Sequence, residues 1–67
     1  MDIFINGNLR QFNGEKLTIS ALVVALNLTG KRIAIEKNGE IIPRSQFNAV
    51  LLNDGDKLEI VGAVGGG

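Results

Sequence analysis

Apolar and polar residues alternate in short bursts along this chain, and the period changes only once. Ile3-Phe4-Ile5 and Leu9-Arg10-Gln11-Phe12 flank Asn6-Gly7-Asn8, the pattern of two short strands about a glycine-bearing turn. A strand repeats every two residues, so Ile3 and Ile5 share one face and Phe4 takes the other. Asn13-Gly14-Glu15-Lys16 interrupts the pattern. From Ile19 the period lengthens, and Ile19, Leu22, Val23 and Leu26 fall on one helical stripe. Thr18 is suited to be the N-cap, because its hydroxyl can accept from a free N–H of the first turn. Leu17 and Leu22 occupy the positions of a hydrophobic staple around it. Asn27 to Gly30 supplies the stop, with Gly30 able to adopt the left-handed conformation after the last turn. The pattern predicts a helix over about residues 19–28, followed by Lys31-Arg32 where positive charge complements the helix dipole.

The two-residue period then returns. Ile33-Ala34-Ile35-Glu36-Lys37 reads as a half-buried strand, Asn38-Gly39 as a tight hairpin turn, and Glu40-Ile41-Ile42 as the returning strand. Pro43 lacks a backbone donor and ends that strand, and the chain turns through Arg44 to Asn48. Val50-Leu51-Leu52 is a short apolar segment before a second dense turn signal, Asn53-Asp54-Gly55-Asp56. Leu58, Ile60 and Val61 belong to a final strand with Leu58 and Ile60 on one face. Hairpin, helix, hairpin, irregular segment and strand make an α+β domain. Its economical form is a mixed sheet packed on one main helix, with the first and last strands parallel at the centre. Residues 1–63 form that domain and residues 64–67 a flexible tail.

Composition narrows the chemistry. The chain has 67 residues, 45% of them hydrophobic, which suffices for one domain and one small core. It has no cysteine and no histidine, so disulfides, zinc sites of the usual ligand set, thiol nucleophiles and Ser-His pairs are all excluded. A self-sufficient enzyme is not expected. Seven basic and seven acidic residues give a formal net charge of zero, and the aromatics are three phenylalanines. Neither the basic footprint nor the stacking surface of a nucleic-acid binder is present. No apolar run reaches transmembrane length, and Met1-Asp2-Ile3-Phe4 does not begin a leader peptide. A cytoplasmic protein without nucleic-acid or membrane partners is expected. Asp54 and Asp56 flank Gly55 as turn residues whose carboxylates bond local backbone, since a calcium loop needs many more ligands in register. Arg44 is read as a tie for its own loop.

The end of the chain, Ala63-Val64-Gly65-Gly66-Gly67, has no folding explanation. Three glycines cost the most backbone entropy to order and bring nothing to pack. Extended, residues 64–67 reach about 13 Å. The reactive group there is the α-carboxylate of Gly67, ionised at neutral pH and able to attack an activated phosphate. The absence of side chains suits Gly65 and Gly66 to a narrow site on another protein.

Two stretches carry a family likeness. Asp54-Gly55-Asp56-Lys57-Leu58-Glu59-Ile60-Val61 leading to Val64-Gly65-Gly66-Gly67 is the more specific. Asn38-Gly39-Glu40-Ile41-Ile42-Pro43-Arg44-Ser45-Gln46-Phe47 is the second. Together they make the chain resemble, over nearly its whole length, the sulfur carrier proteins of thiamine biosynthesis. These are ubiquitin-like β-grasp proteins related to the small subunit of molybdopterin synthase. The sequence departs from the family at Phe47, where tryptophan is frequent, and at Gly62, where a larger polar residue is common.

The resemblance implies that the chain binds no cofactor itself. An E1-like adenylating enzyme would use ATP and magnesium to activate Gly67. A sulfur donor such as a cysteine desulfurase persulfide would convert it to a thiocarboxylate, and thiazole synthase would take the sulfur. Val64, Gly65 and Gly66 would thread the partner's active site. If Ile3, Ile5, Ile33, Ile35, Leu58 and Ile60 face the helix, then Phe4, Ala34 and Val61 lie on the opposite sheet face, and Phe4 and Val61 are the candidates for the partner surface. A molybdopterin-type carrier, a ubiquitin-like modifier joined to lysines and a plain binding module with a flexible tail are the other readings of such an ending.

Overall fold

Two Asn-Gly pairs frame the sheet in the computed structural model, which describes residues 1–14 and 16–62. Asn6-Gly7 joins β1 (Asp2–Ile5) to β2 (Asn8–Gln11), and Asn38-Gly39 joins β4 (Ile33–Lys37) to β5 (Glu40–Ile42). Both turns need positive φ at both central residues, and they have it: 51° and 83° at Asn6 and Gly7, 51° and 86° at Asn38 and Gly39. That geometry matches the twist of the flanking strands, which is why these dipeptides fix the register of each hairpin. The last strand, β7 (Lys57–Gly62), inserts between the hairpins to give a five-stranded sheet in the order β2-β1-β7-β4-β5. It runs parallel to β1 and antiparallel to β4. The expected mixed sheet with parallel first and last strands at its centre is the observed one.

Asn6 does more than turn the chain. The backbone N–H groups of Phe4 and Asn6 donate to the carbonyls of Asp56 and Leu58 at 3.0 and 2.9 Å, and there the backbone pairing of β1 with β7 stops as the hairpin bends away. The Asn6 side chain continues it. Its Nδ2 donates to the Ile60 carbonyl at 3.0 Å and its Oδ1 accepts from the Ile60 N–H at 2.8 Å. One amide thus replaces a strand residue on both sides of the peptide unit.

The helix α1 (Ile19–Ala25) crosses one face of the sheet. Ile19 and Leu22 are buried with Ile3, Ile35, Phe47, Leu52 and Leu58, while Val23 and Leu26 pack partly buried at the edge of this cluster. Each large side chain so buried contributes roughly 1.5–3 kcal/mol. Thr18 caps the helix as expected, its Oγ1 accepting from the Ala21 N–H at 3.1 Å. The other first-turn donors are met from far along the chain: Ile19 N–H donates to the Val50 carbonyl at 3.1 Å and Ser20 N–H to that of Phe47 at 2.9 Å. A 3₁₀ turn, Arg44–Gln46, follows Pro43 and delivers those carbonyls.

Three expectations need correction. The helix ends at Ala25 rather than near residue 28. The left-handed residue that stops it is Asn27 (φ 59°); Gly30 is left-handed too (φ 80°), as expected, but lies beyond the helix. The Leu28 N–H donates back to Val23 and the Asn27 N–H to Val24, at 2.9 and 3.0 Å, and this closes the helix before another turn can form. Lys31 and Arg32 consequently lie well past the last turn, which holds no basic residue. Finally, Leu17–Thr18 and Leu51–Leu52 form a second, two-stranded sheet of β3 with β6, where no strand was expected before the helix. Nothing local announces a two-residue strand. Its partner, some 34 residues away, creates it.

Because Asn6 combines a left-handed backbone with two hydrogen bonds to the central strand, Asn6→Ala is expected to destabilise the fold by about 2 kcal/mol, with most of the loss from the unmade bonds. Urea unfolding measures it, and an unchanged midpoint would show that the clasp contributes nothing.

Candidate functional site

Strand register decides what the uncovered face of the sheet presents. Phe4 lies opposite Leu9 on β2 and beside Lys57 on β7. Val61 lies opposite Ala34, and Glu59 opposite Glu36, which in turn faces Ile41 on β5. These residues alternate with the buried Ile3, Ile35 and Leu58 and therefore point away from α1. Phe4, Ala34 and Val61, the three residues expected on this face, are all there. Phe4 is half-buried and borders a shallow hollow with Gly7, Lys57 and Glu59. Val61 is 58% exposed and Ile41 is 70% exposed. Leu9 and Ala34 add further uncovered apolar surface.

The charges on this face are arranged against stability. Glu36 and Glu59 are direct cross-strand partners. Like charges in that position repel, and among the described residues no cation lies within ion-pair distance of either. The described ion pair is elsewhere, Lys37 Nζ at 4.0 Å from Asp56 Oδ2 on the helix side. An apolar surface holding an uncompensated acidic pair has the composition of a docking face for a protein with a basic group amid apolar ones.

The root of the tail is equally defined. Gly62 closes β7 opposite Ile33, so the segment that leads to Gly67 follows directly on the central strand. Val64, Gly65, Gly66 and Gly67 themselves lie outside the described residues. At the other end of β7 the acidic turn is structural. Asp56, nearly buried, accepts from the Asn53 N–H at 2.8 Å and from Asn38 Nδ2 at 3.1 Å. Asn38 Oδ1 accepts from the Lys57 N–H at 3.0 Å, which latches the second hairpin to the start of β7. Asp54 Oδ1 accepts from the Asp2 N–H at 2.6 Å. The turn reading of both aspartates therefore holds, although Asp54 serves a distant strand rather than its own loop. Arg44 Nη2 donates to the Lys31 carbonyl at 3.1 Å, so it ties the segment before β4 rather than its own loop as expected, and Phe47 is a buried anchor.

A five-stranded mixed sheet with its last strand central, one helix on one face and an open apolar and acidic face on the other defines a ubiquitin-like β-grasp domain. The family model of the ThiS family matches residues 3–67. The chain is 36% identical over 63 residues to the sulfur carrier protein ThiS of Bacillus subtilis, with 94% of this chain and 96% of that one covered. It is 45% identical over 67 residues to a thiazole synthase of Paramagnetospirillum magneticum, spanning all of this chain but 20% of the length of that relative. The crystal structure of a thiamine biosynthesis protein, ThiS, from Geobacter metallireducens superposes with a TM-score of 0.87 at 33% identity, each chain covered in full. The chain belongs to the ThiS family of sulfur carrier proteins of thiamine biosynthesis, a family of carriers rather than catalysts. No helix among the described residues is long and apolar enough to cross a membrane.

Phe4 and Val61 were visible from alternation within their own strands. Leu9, Ile41 and the Glu36–Glu59 apposition were not, because each depends on which strands become neighbours and in what register. The acidic pair yields a measurable consequence. Glu36→Gln removes a cross-strand repulsion without touching the core and is expected to raise stability by about 0.5 kcal/mol in dilute buffer. The gain should shrink as salt screens the pair. Equal urea midpoints for the two proteins at low ionic strength would show that the carboxylates do not interact.

Proposed function

We propose that this chain carries sulfur to the thiazole-forming step of thiamine biosynthesis on the terminal carboxylate of Gly67. The observation that carries this reading is that the ThiS family match runs through Gly67, so the glycine ending belongs to the matched domain. The side chains supply neither thiol nor imidazole. Covalent sulfur chemistry on this protein is therefore left to the main-chain terminus.

The steps follow from the chemistry of a carboxylate. A partner adenylating enzyme binds ATP and magnesium and takes the Gly67 carboxylate to the α-phosphate. A carboxylate oxygen bonds to phosphorus, pyrophosphate leaves, and the result is an acyl-adenylate. The electrostatic work of that step belongs to the partner's site. A persulfide of the kind formed on a cysteine desulfurase then attacks the acyl carbon through its terminal sulfur and releases AMP. A thiol cleaves the remaining S–S bond, becoming the second half of a disulfide, and leaves the thiocarboxylate. Thiazole synthase accepts the sulfur and the carboxylate returns. That acceptor is supported by the relative bearing the name thiazole synthase, one fifth of which aligns with this whole chain.

Docking is assigned to the open sheet face, with Phe4 and Val61 as its apolar anchors, while Val64, Gly65 and Gly66 enter the active site. Their lack of bulk suits a narrow channel, and pairing of Gly62 with Ile33 of β4 holds the root of the tail on the sheet.

Intact mass after incubation with the adenylating enzyme, ATP and a sulfur source tests the central step. One oxygen of the protein exchanged for sulfur is expected, and it should be absent after deletion of Gly67, a change that leaves unfolding by urea near that of the parent. Sulfur loading of the truncated chain would discard the assignment, and lysine conjugates in its place would identify a modifier. For the docking face, Phe4→Asp is expected to raise the concentration of carrier that half-saturates the adenylating enzyme about tenfold, the effect of removing one anchor. Unaltered adenylation kinetics for a folded variant would move the interface elsewhere.

A further inference from the structure

On the helix side of the sheet, where β7 ends, the chain encloses an open cavity of about 440 Å³. Its walls include the apolar side chains Ile5, Leu28 and Ile60, and Gly62 stands in its lining. Arg10, Lys31 and Arg32 line it as well, and among the described residues no acidic one does. All three cations are exposed, and among the described residues none has a carboxylate within ion-pair distance. They come from separate parts of the fold. Arg10 sits on edge strand β2 opposite Ile3 and so projects to the helix side, whereas Lys31 and Arg32 precede β4. An inward-leaning charge can protect an edge strand from pairing with another chain. That accounts for Arg10 alone. Lys31 and Arg32 have lost the helix-dipole role that their position in the sequence suggests, since α1 ends several residues earlier.

With a formal net charge of zero, three like charges around one apolar hollow concentrate a positive field that the rest of the chain offsets elsewhere. The open sheet face, with Glu36 opposite Glu59, bears the opposite sign. We infer that the cavity is a docking site for an acidic segment of the adenylating partner, in which carboxylates meet Arg10, Lys31 and Arg32 and an apolar side chain between them fills the hollow. The inference rests on the proposed function for the identity of the partner. A protein that draws the tail into its active site must close around Gly62, and its surface then covers this cavity. Guanidinium groups suit carboxylates, which they bind through two parallel hydrogen bonds.

Two measurements test the site. In the first, the parent chain is titrated with the peptide acetyl-Asp-Glu-Leu-Asp-Glu-amide and followed by amide NMR. Residues Arg10, Leu28, Lys31, Arg32 and Ile60 are expected to shift with a Kd of about 1 mM, and residues of the open face to stay unmoved. The triple variant Arg10→Gln/Lys31→Gln/Arg32→Gln should show no shift. In the second, carrier-dependent ATP–pyrophosphate exchange by the adenylating enzyme is measured. The triple variant should need about tenfold more carrier for half-saturation with little change in kcat, the parent should lose the same advantage as salt rises, and Arg10→Lys/Arg32→Lys, which keeps the charge without the paired hydrogen bonds, should fall between the two. Peptide that fails to move these residues, tighter binding of AMP or inorganic phosphate at the same residues, or half-saturation within twofold of the parent would each overturn the inference. Failure of the parent chain itself to support exchange falls on the proposed function, and the peptide titration still decides the site.

Discussion

The parallel pairing of β1 with β7 is the constraint on which the structure depends. It joins residues 53 apart in register, Phe4 with Lys57 and Ile5 with Leu58. Without it the sheet divides into a two-stranded hairpin, β2-β1, and a three-stranded piece, β7-β4-β5, and a lone two-stranded hairpin is at best marginally stable in water. Closing a loop of that size costs about 3–4 kcal/mol beyond a constant term. Burial of Ile3 and Leu58 against α1 returns an amount of the same order. With those terms nearly balanced, the polar clasps at the two ends of β7 decide how firmly the strand is held. Asn6 extends the pairing to Ile60 at one end, and Asn38 with Asp56 secures the entry at the other.

That constraint also fixes how the function is presented. Placing the last strand at the centre roots the glycine tail in β7, which is paired with β1 and β4 over its first half, is clasped by the Asn6 side chain at Ile60, and keeps Ile33 of β4 as the partner of Gly62. One helix covers one face and, among the described residues, no element covers the other, which leaves Phe4, Val61, Ile41 and the paired glutamates facing outward. The open face and Gly62, where the described chain leaves β7, are parts of one sheet.

The parts of this arrangement that were legible in the sequence are those that a few adjacent residues determine. Asn6-Gly7 and Asn38-Gly39 specify their turns through backbone sterics, Thr18 its cap through a single hydroxyl, and Ile19, Leu22, Val23 and Leu26 their shared face through the helical period. The hidden parts depend on a partner distant in sequence. Leu17–Thr18 is a strand only because Leu51–Leu52 lies beside it. The helix end was misplaced because glycine is the usual left-handed residue, while here Asn27 takes that conformation and lets Leu28 fold back on Val23. The same early stop carries Lys31 and Arg32 away from the helix and into the company of Arg10. The missed helix end and the missed cation cluster therefore have one physical origin.

Charge placement gives the protein a direction that its neutral total conceals. Acidic residues oppose each other on the open face, and basic residues gather around the cavity at the tail root. The acidic apposition lowers the stability of the isolated chain, and a cation there would relieve it, so the arrangement is not one that folding selects. A partner complementary to both regions gains in one orientation and meets like charges in the reversed one, which is how specificity arises from a repulsive alternative as well as an attractive match. Under the proposed function the reactive group is a bare carboxylate, identical in kind to that of any other chain, and discrimination then comes from the body. The neutral sum of seven positive and seven negative side chains is compatible with that discrimination because the Glu36–Glu59 apposition and the Arg10, Lys31 and Arg32 cluster lie on opposite sides of the sheet.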